Sequence, residues 1–322
     1  MQIEQIAEDF CGLIRYERNT EGKILFIDQL ARRLGLEVMC ALVLGRRMGF
    51  LLPEYLNDTS RQLAYAVQNH FLACRDTYFG LPLWKIFPTK AYKLLVKSDE
   101  AIYDIVSQLV STADESVKES VIFQSILGAN IDEKEKTVAI VDFISSGIQT
   151  LGNTFIFMLH SVGMRRDLQD KILTEETKES YLKACRNETF RLLPTANCLA
   201  RVTEKDLELS GYTIKSGSVV ICQTGLACRD TRNFSNPNMY IPERWLNEEK
   251  ISTQSNATYL VIPFGCGRRT CPGKRFIKHT LPILLDRIVQ NFAFESDEEL
   301  DVQFEFLMTP KSPVKMTFTD RF

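Results

Sequence analysis

The segment PFGCGRRTCPGKRF, residues 263–276, contains the most chemically suggestive cluster of side chains in this chain. Cys271 follows Arg268 and Arg269 and precedes Pro272, a residue suited to the first turn of a helix. Backbone N–H groups at a helix N-terminus and nearby cations both favour a thiolate over a thiol. The segment therefore predicts a reactive thiolate, which can act as a nucleophile, a redox centre or a metal ligand.

The sequence offers few partner residues for a nucleophilic cysteine or for a zinc site at this position. A nucleophilic cysteine needs a base, and His279 lies two turns along the same predicted helix, too far from Cys271 to act on it. A zinc site needs about four ligands, whereas this segment offers only Cys266 and Cys271. A single thiolate, hydrogen-bonded by loop amides and surrounded by arginines, suits an iron porphyrin with two propionates.

Composition excludes several other classes of protein. The formal net charge of −2 gives no global basic field for nucleic acid. The nine cysteines form no CxxC pair, which argues against a zinc ribbon or a disulfide scaffold. The first 22 residues are typical of neither a signal peptide nor a transit sequence, so we expect no targeting sequence in this chain.

The elements that must position the thiol loop are mostly helices. Residues 133–163 are apolar on nearly every side, which predicts one long helix in the middle of a core rather than a membrane span. Two β-prone runs around Lys215-Ser216-Gly217 predict a hairpin, and residues 302–322 alternate like a terminal strand pair. Further helices are predicted over 4–17, 26–50, 58–76, 98–112, 178–193 and 272–292.

The loop carries a resemblance to a known family. The F-x-x-G-x-R-x-C-x-G haem-binding signature of the cytochrome P450 family is matched by Phe264, Gly267, Arg269, Cys271 and Gly273. The resemblance implies a mostly α-helical P450 fold, in which a helical bundle surrounds haem b and small β-sheets lie near the C-terminus. It also implies Cys271 as the axial iron ligand, Arg269 as a propionate partner, and dioxygen as the cosubstrate.

Upstream residues extend the resemblance. Glu188 and Arg191 lie three apart on one predicted helix, and the later segment YIPERW contains Arg244. In the family these positions form a buried charged triad that supports the thiolate loop. Such a triad is physically sound, because a carboxylate between two guanidinium groups can be satisfied by bidentate bonds. Arg201 matches a further propionate-binding position.

The segment SSGIQTLGNT, residues 145–154, resembles the oxygen-binding helix of the family. Gly147 in a helix interior costs roughly 1 kcal/mol relative to alanine, and the resemblance implies a local widening of the helix over the haem. Thr150 takes the place of the threonine that supports proton delivery. Gln149 stands where an acid is typical, although an amide cannot exchange a proton as a carboxyl group does.

Residues 35–51, the 145–154 segment and CPGKRF together resemble the mitochondrial-type branch of animal P450s, and within it insect ecdysteroid hydroxylases. The resemblance implies a monooxygenase that hydroxylates a steroid-like lipid, an ecdysteroid, with electrons from a ferredoxin. It implies a mitochondrial location on the matrix side of the inner membrane, with peripheral membrane association of the full-length form. Substrate-lining residues would be Ile148, Thr195, Leu199 and Leu307, and ferredoxin-docking residues would be Lys183, Arg268, Lys274 and Arg275.

Length qualifies this functional prediction. We expect residues 1–322 to form a single partial P450 domain that lacks the N-terminal third of the family domain. A second gap is expected near residues 171–181, where the family has two helices and a connecting loop. An alternative from a different class is a catalytically inactive truncated isoform, or an incomplete gene model, of such an enzyme.

Overall fold

A computed structural model of the protein describes residues 2–53, 58–111, 120–174, 178–246, 257–296, 298–311 and 313–322. The N-terminal half is helical, as the apolar periodicity predicts. The helices are α1 (Gln2–Glu17), α2 (Ile27–Leu44), α3 (Asp58–Tyr78), α4 (Lys90–Ser111), α5 (Val121–Leu127), α6 (Glu133–Gly163), α7 (Arg166–Thr174), α8 (Lys178–Leu192), α9 (Thr224–Ala227), α10 (Ala257–Leu260) and α11 (Lys274–Asn291).

The strands form small antiparallel sheets, most of them in the C-terminal region. One sheet has the strand order β1-β9-β6, and the remaining strands pair as β2-β5, β3-β4 and β7-β8. Their bounds are β1 (Lys23–Ile24), β2 (Leu199–Val202), β3 (Leu207–Leu209), β4 (Tyr212–Ile214), β5 (Val219–Cys222), β6 (Phe292–Glu295), β7 (Val302–Glu305), β8 (Leu307–Pro310) and β9 (Met316–Asp320).

Helix α6 runs through the middle of the molecule, which confirms the predicted central helix. Its first turn is fixed by Asp132, whose side chain accepts a hydrogen bond from the Glu135 N–H at 2.8 Å. Two apolar clusters meet along it, one shared with α1, α8 and α11, the other with α2, α3 and α4. None of the helices in the described ranges is both long and apolar enough to cross a bilayer.

Glycines allow α2 and α6 to approach each other closely. A Cβ at Gly35 on α2 would lie 2.4 Å from the Ile148 carbonyl oxygen on α6. A Cβ at Gly152 on α6 would lie 3.0 Å from the Ala31 carbonyl oxygen on α2. Both neighbours are backbone atoms that cannot move aside, so the two helices pack at a distance that side chains at these positions would prevent.

Several predicted boundaries differ from the structure, and the helix predicted over 98–112 begins earlier, at Lys90. The helix predicted over 26–50 stops at Leu44, because Gly45 takes a left-handed conformation with φ of 73°. The hairpin turn lies at Ser210 and Gly211, while Lys215 to Gly217 connects β4 to β5, which pairs with β2. The terminal segment makes the β7-β8 hairpin, but β9 leaves it to pair with β6 and β1.

The predicted shortening near residues 171–181 falls between α7 and α8. Helix α7 ends at Thr174 and α8 begins at Lys178, with residues 175–177 outside the described part. The partial-domain boundaries stay a prediction.

Candidate functional site

The thiol loop is shaped by two left-handed glycines. Gly265 and Gly267 have φ values of 69° and 73°, which other residues adopt only with strain. The loop closes through the Cys271 N–H, which donates to the Phe264 carbonyl oxygen at 2.9 Å. Helix α11 begins at Lys274, slightly later than predicted, so the exposed Cys271 thiol lies just before its first turn.

Space and charge beside this thiol suit a bulky anionic group. A Cβ at Gly273 would lie 3.7 Å from the Cys271 Sγ, so glycine leaves that side of the sulfur open. Arg268 and Arg269 form an exposed 3-10 turn, and neither makes an ion pair within the described residues. Among the residues that the structure describes, the Arg201 guanidinium donates only to its neighbouring Ala200 carbonyl, at 2.7 Å.

These residues fit a haem better than a bare metal ion. In the described ranges, no three His, Cys, Asp or Glu side chains come together as a metal site. A metal held at Cys271 would therefore need to bring most of its own ligands. An iron porphyrin does so, and its propionates need cations of the kind that Arg269 and Arg201 offer.

The structure brings Glu188, Arg191 and Arg244 together in a buried cluster. Glu188 and Arg191 are both 0% exposed. Arg191 Nε donates to Glu188 Oε2 at 2.9 Å and Nη2 donates to Oε1 at 2.8 Å. Arg244 Nε donates to the same Oε1 at 3.0 Å. One carboxylate thus bridges two guanidinium groups, the arrangement in which a buried charge is well satisfied.

Further donors and acceptors complete this cluster. The Trp245 indole N–H donates to Glu188 Oε2 at 2.8 Å, and the Ile241 N–H donates to Oε1 at 2.9 Å. Arg191 donates in turn to the carbonyl oxygens of Cys228, Pro237 and Met239 at 2.6–3.0 Å. Sequence reasoning missed Trp245, although an indole N–H one residue after Arg244 needs a partner when it is buried.

The cluster reaches the thiol loop through an aromatic contact. Phe190, the neighbour of Arg191 on α8, packs edge to face against Phe264 with ring centroids 5.1 Å apart. Leu199 supports the same loop, because its Cδ2 lies 3.7 Å from the Cβ position of Gly265. The charged cluster and the loop therefore share one packed unit.

Helix α6 differs from the prediction at Gly147. The helix is continuous from Glu133 to Gly163 and shows no widening at this glycine. A Cβ at Gly147 would instead lie 2.2 Å from Met39 Sδ, so the glycine faces α2. In this structure, close packing of α6 against Met39 of α2 explains why residue 147 is a glycine. The predicted role of Gly147 in oxygen binding stays a prediction.

The threonine hydroxyls that follow Gly147 on α6 donate to backbone carbonyls one turn earlier in the same helix. The Thr150 hydroxyl donates to the Ser146 carbonyl at 2.9 Å. Thr154 donates to the Thr150 carbonyl at 2.7 Å and also contacts the Thr195 hydroxyl at 2.7 Å. Gln149 is 2% exposed, and its Oε1 has no hydrogen-bond partner within the described residues.

The predicted substrate residues fall in different surroundings. Ile148 is fully buried in the core shared with α2 and α3. Thr195 is tied to β8, because its carbonyl accepts a hydrogen bond from the Met308 N–H at 2.8 Å. Leu199 contacts the thiol loop, and Leu307 is a half-buried residue that opens β8. Thr195 and Leu307 therefore both lie at β8, whereas Ile148 faces the core.

A cavity of about 910 Å³ lies between α3, α4, α6 and the thiol loop. Pro272, next to Cys271, lines it together with Ser145 and Ser146 of α6. His70 and Asp99 lie on the opposite wall, where the His70 Nδ1 is 2.5 Å from Asp99 Oδ1. Sequence reasoning missed both residues, because α3 and α4 meet only in three dimensions.

The predicted docking cations lie on α8, in the thiol loop and at the start of α11. Arg268 and Arg275 are exposed, whereas Lys183 pairs with Glu179 at 2.5 Å. Burial, followed by the charges of Arg186 and Lys274, lowers the pKa of the Lys278 amine. Arg186 is buried and donates to Asn187 and to the Lys278 carbonyl, so it belongs to the packing of α8 on α11.

Most other cysteines are inert by comparison. Burial is the main cause that raises the pKa of the Cys11 thiol to about 12 and that of Cys74 to about 11. Cys40 and Cys185 are also buried, with thiol pKa values raised further by burial. These side chains act as small apolar residues, whereas Cys271 is exposed.

Comparison with known proteins agrees with this geometry. The profile of the cytochrome P450 family matches residues 2–318. The chain is 38% identical to ecdysone 20-monooxygenase of Drosophila melanogaster, over 99% of this chain and 65% of that enzyme. It is 26% identical to mitochondrial cytochrome P450 302a1 of the same species, over 97% of this chain and 68% of the relative. The chain thus spans less than two thirds of the length of the ecdysone 20-monooxygenase.

Proposed function

Because this chain belongs to the cytochrome P450 family, we propose that it binds haem b through Cys271 and hydroxylates a steroid-like lipid. The observation that carries the proposal is the exposed Cys271 thiol beside Pro272, which lines the same cavity as α6. Cys271, Arg268 and Arg269 belong to the same loop as Pro272, and Pro272 lines the cavity. That arrangement suits a flat cofactor between the loop and the helix.

Each residue of the loop has a defined task in this proposal. Cys271 would hold the haem iron through its thiolate, Arg269 and Arg201 would bind the propionates, and Phe264 would pack against the porphyrin. The glycines Gly267 and Gly273 keep side chains away from it. When bound, a thiolate-ligated haem supplies the reduction of dioxygen, with one oxygen atom inserted into a substrate C–H bond and the other released as water.

Residues of α6 handle protons in this proposal. The Thr150 hydroxyl is hydrogen-bonded to the Ser146 carbonyl and would be the group on α6 that passes a proton. Gln149 contributes a buried amide oxygen without a partner in the described chain, which can hold a water molecule in place. Gln149 thus positions the proton source, while Thr150 moves the proton.

The relatives supply the substrate class. One relative carries ecdysone in its name, and we propose an ecdysteroid as the substrate of this chain. Leu199, Leu307 and Thr195 lie around the thiol loop and β8 and would contact the substrate after haem binds. Ile148 supports that wall from the core.

We propose a ferredoxin as the electron donor, docked on the basic region of Lys183, Arg268, Lys274 and Arg275. An acidic donor would be steered by these cations at low ionic strength. Relatives with mitochondrial names support a mitochondrial location for this chain. The segment between α3 and α4 exposes Leu81 and Ile86, which supports peripheral membrane association of the full-length form.

The test of this function is the carbon monoxide difference spectrum of the reduced, haem-loaded protein. We expect a thiolate-type Soret band that Cys266→Ala retains and Cys271→His loses. Absence of the band from the unmodified chain would contradict the enzyme proposal and favour the inactive-isoform alternative. Persistence of the band in Cys271→His would contradict the ligand assignment alone.

A further inference from the structure

A second cavity, of about 730 Å³, lies between the start of α2 and the first half of α3. One wall includes β1, the connection to α2 and the first two turns of that helix. The other wall is a single face of α3, because residues 61, 62, 64, 65 and 68 fall on the same side of a helix. Among the described residues, none lines both this cavity and the one beside Pro272. A ligand here would therefore be separate from the proposed haem and substrate region.

Two of the cations that line this second cavity already have partners. Lys23 Nζ lies 3.3 Å from the Glu21 carboxylate, and Arg32 Nη2 lies 3.0 Å from the Asp28 carboxylate. These two charges are therefore balanced within the protein.

The guanidinium groups of Arg33 and Arg61 are less well balanced. Arg33 is buried, and its Nε and Nη2 both donate to the Phe50 carbonyl oxygen, at 3.2 and 2.8 Å. Its Nη1 lies 3.8 Å from Glu17 Oε1, beyond hydrogen-bond distance. Burial lowers the pKa of the Arg33 guanidinium, Glu17 opposes this shift, and the charge of Arg61 adds to it.

The acids of the lining do not neutralise this pair. Among the described residues that line the cavity, Glu17 is the single carboxylate. One carboxylate is thus available for the guanidinium groups of Arg33 and Arg61, which leaves one net positive charge. A monoanion in the cavity would balance that charge, and guanidinium groups bind carboxylates through paired N–H donors.

Exposed apolar side chains line the same cavity. Leu25 and Phe26 lie just before α2, Tyr65 lies on α3, and all three are exposed. Leu30 is a buried apolar residue of the same lining. Apolar surface of this kind beside unbalanced cations is typical of a site for a ligand with an anionic end and an apolar chain.

We propose that this cavity binds a fatty acid, whose carboxylate contacts Arg33 and Arg61 and whose hydrocarbon chain lies against Leu25, Phe26 and Tyr65. A fatty acid carries one negative charge, which matches the one net positive charge of the lining. A phosphate monoester carries close to two charges, and an uncharged lipid carries none, so both are poorer matches. The site acts independently of haem binding at Cys271.

The test is equilibrium dialysis of the chain, with and without haem, against radiolabelled dodecanoate. We expect Arg61→Glu to weaken binding by at least about tenfold, because it replaces a charge-assisted hydrogen bond with repulsion. Arg61→Lys should keep part of the affinity. Dodecanol lacks the charge and acetate lacks the chain, so both should bind more weakly than dodecanoate. The matched control is Arg232→Glu, an exposed arginine outside the cavity lining, and it should leave the affinity unchanged.

A dodecanoate with a terminal diazirine locates the site by photolabelling and peptide mass spectrometry. We expect label in peptides that contain residues 25–26 or 61–68. Label confined to residues of the cavity beside Pro272 would overturn the inference, as would equal affinity for dodecanol or an unchanged affinity in Arg61→Glu. Binding to vesicles of anionic phospholipid without binding to dodecanoate would assign this surface to a membrane and would also overturn it. None of these results alters the carbon monoxide band, so the proposed function is tested separately.

Discussion

The buried cluster around Glu188 and the cavity between α3, α4 and α6 differ in how their polar side chains are satisfied. Both oxygens of Glu188 accept hydrogen bonds from side chains on two segments, and the carboxylate is 0% exposed. In the cavity wall, the Asp99 carboxylate contacts His70 but its side chain is 55% exposed. A network satisfied within the protein stabilises a fold, whereas exposed polar groups along a cavity are available to a ligand.

The two regions also differ in how far apart their residues lie in the sequence. Residues 188–245 hold the whole charged cluster, and a single segment holds the thiol loop. The polar cavity takes its walls from α3, α4, α6 and Pro272. Mutations in the first region should therefore affect folding, and mutations in the second should affect ligand binding.

The largest expected effect is on the free energy of unfolding of Arg191→Ala. The substitution breaks both Arg191 hydrogen bonds to the buried Glu188 carboxylate and takes the Arg191 donor away from three carbonyl oxygens, and breaking a buried ion pair costs about 3–5 kcal/mol. Chemical denaturation followed by circular dichroism measures the loss. If the variant does not accumulate in folded form, the helical signal at zero denaturant reports the same result.

The control for this prediction is Arg232→Ala. Arg232 pairs with Asp230 on the surface, and its side chain is 85% exposed. Surface pairs contribute about 0–1 kcal/mol, so this variant should unfold almost as the unmodified chain does. Similar losses in the two variants would contradict the structural role assigned to the buried cluster.

A smaller loss of stability is expected from a substitution where α2 packs against α6. In Gly35→Ala the new Cβ would lie 2.4 Å from the Ile148 carbonyl oxygen, and overpacking of this kind costs roughly 1–3 kcal/mol. Gly12→Ala on α1 is the matched change, because a Cβ there meets no atom within 4 Å. The free energy of unfolding of Gly12→Ala should rise by up to about 1 kcal/mol, because alanine has the higher helix propensity. Thermal unfolding of the two variants should shift in opposite directions, and equal shifts would refute the close helix contact.

The C-terminal end of α6 should make stability depend on pH. Burial lowers the pKa of the His160 imidazole, despite a hydrogen bond to the Glu298 carbonyl at 2.8 Å. Below an ordinary pKa near 6.5, the unfolded chain takes up a proton that the folded chain does not bind. Stability should therefore fall as pH drops below that value. His160→Gln should flatten this part of the profile, and an unchanged profile would contradict the assignment.

The smallest expected effect is on cysteine alkylation. Cys271 and Cys266 are exposed and should react with iodoacetamide before Cys11 and Cys74, whose thiol pKa values are raised by burial. Haem loading should protect Cys271 more than Cys266. Peptide mass spectrometry measures both rates, and equal protection of the two neighbours would contradict the assignment of Cys271 as the ligand.

Sequence reasoning succeeded where chemistry is local. The Glu188–Arg191 pair and the long α6 helix each depend on neighbours within a few positions. It misplaced the hairpin turn because Ser210-Gly211 and Lys215-Ser216-Gly217 are both turn signals, and only strand pairing decides between them. The packing reason for Gly147 and the His70–Asp99 contact depend on distant elements, which no local pattern reveals.

The central claim is that Cys271 alone supplies the protein ligand to the haem iron. The direct measurement is the electron paramagnetic resonance spectrum of the ferric, haem-loaded chain, compared with Cys271→Ser and Cys266→Ser prepared in the same way. We predict a low-spin thiolate spectrum in the unmodified chain and in Cys266→Ser, and its loss in Cys271→Ser. A thiolate spectrum that survives in Cys271→Ser, or that disappears in Cys266→Ser, would contradict this account.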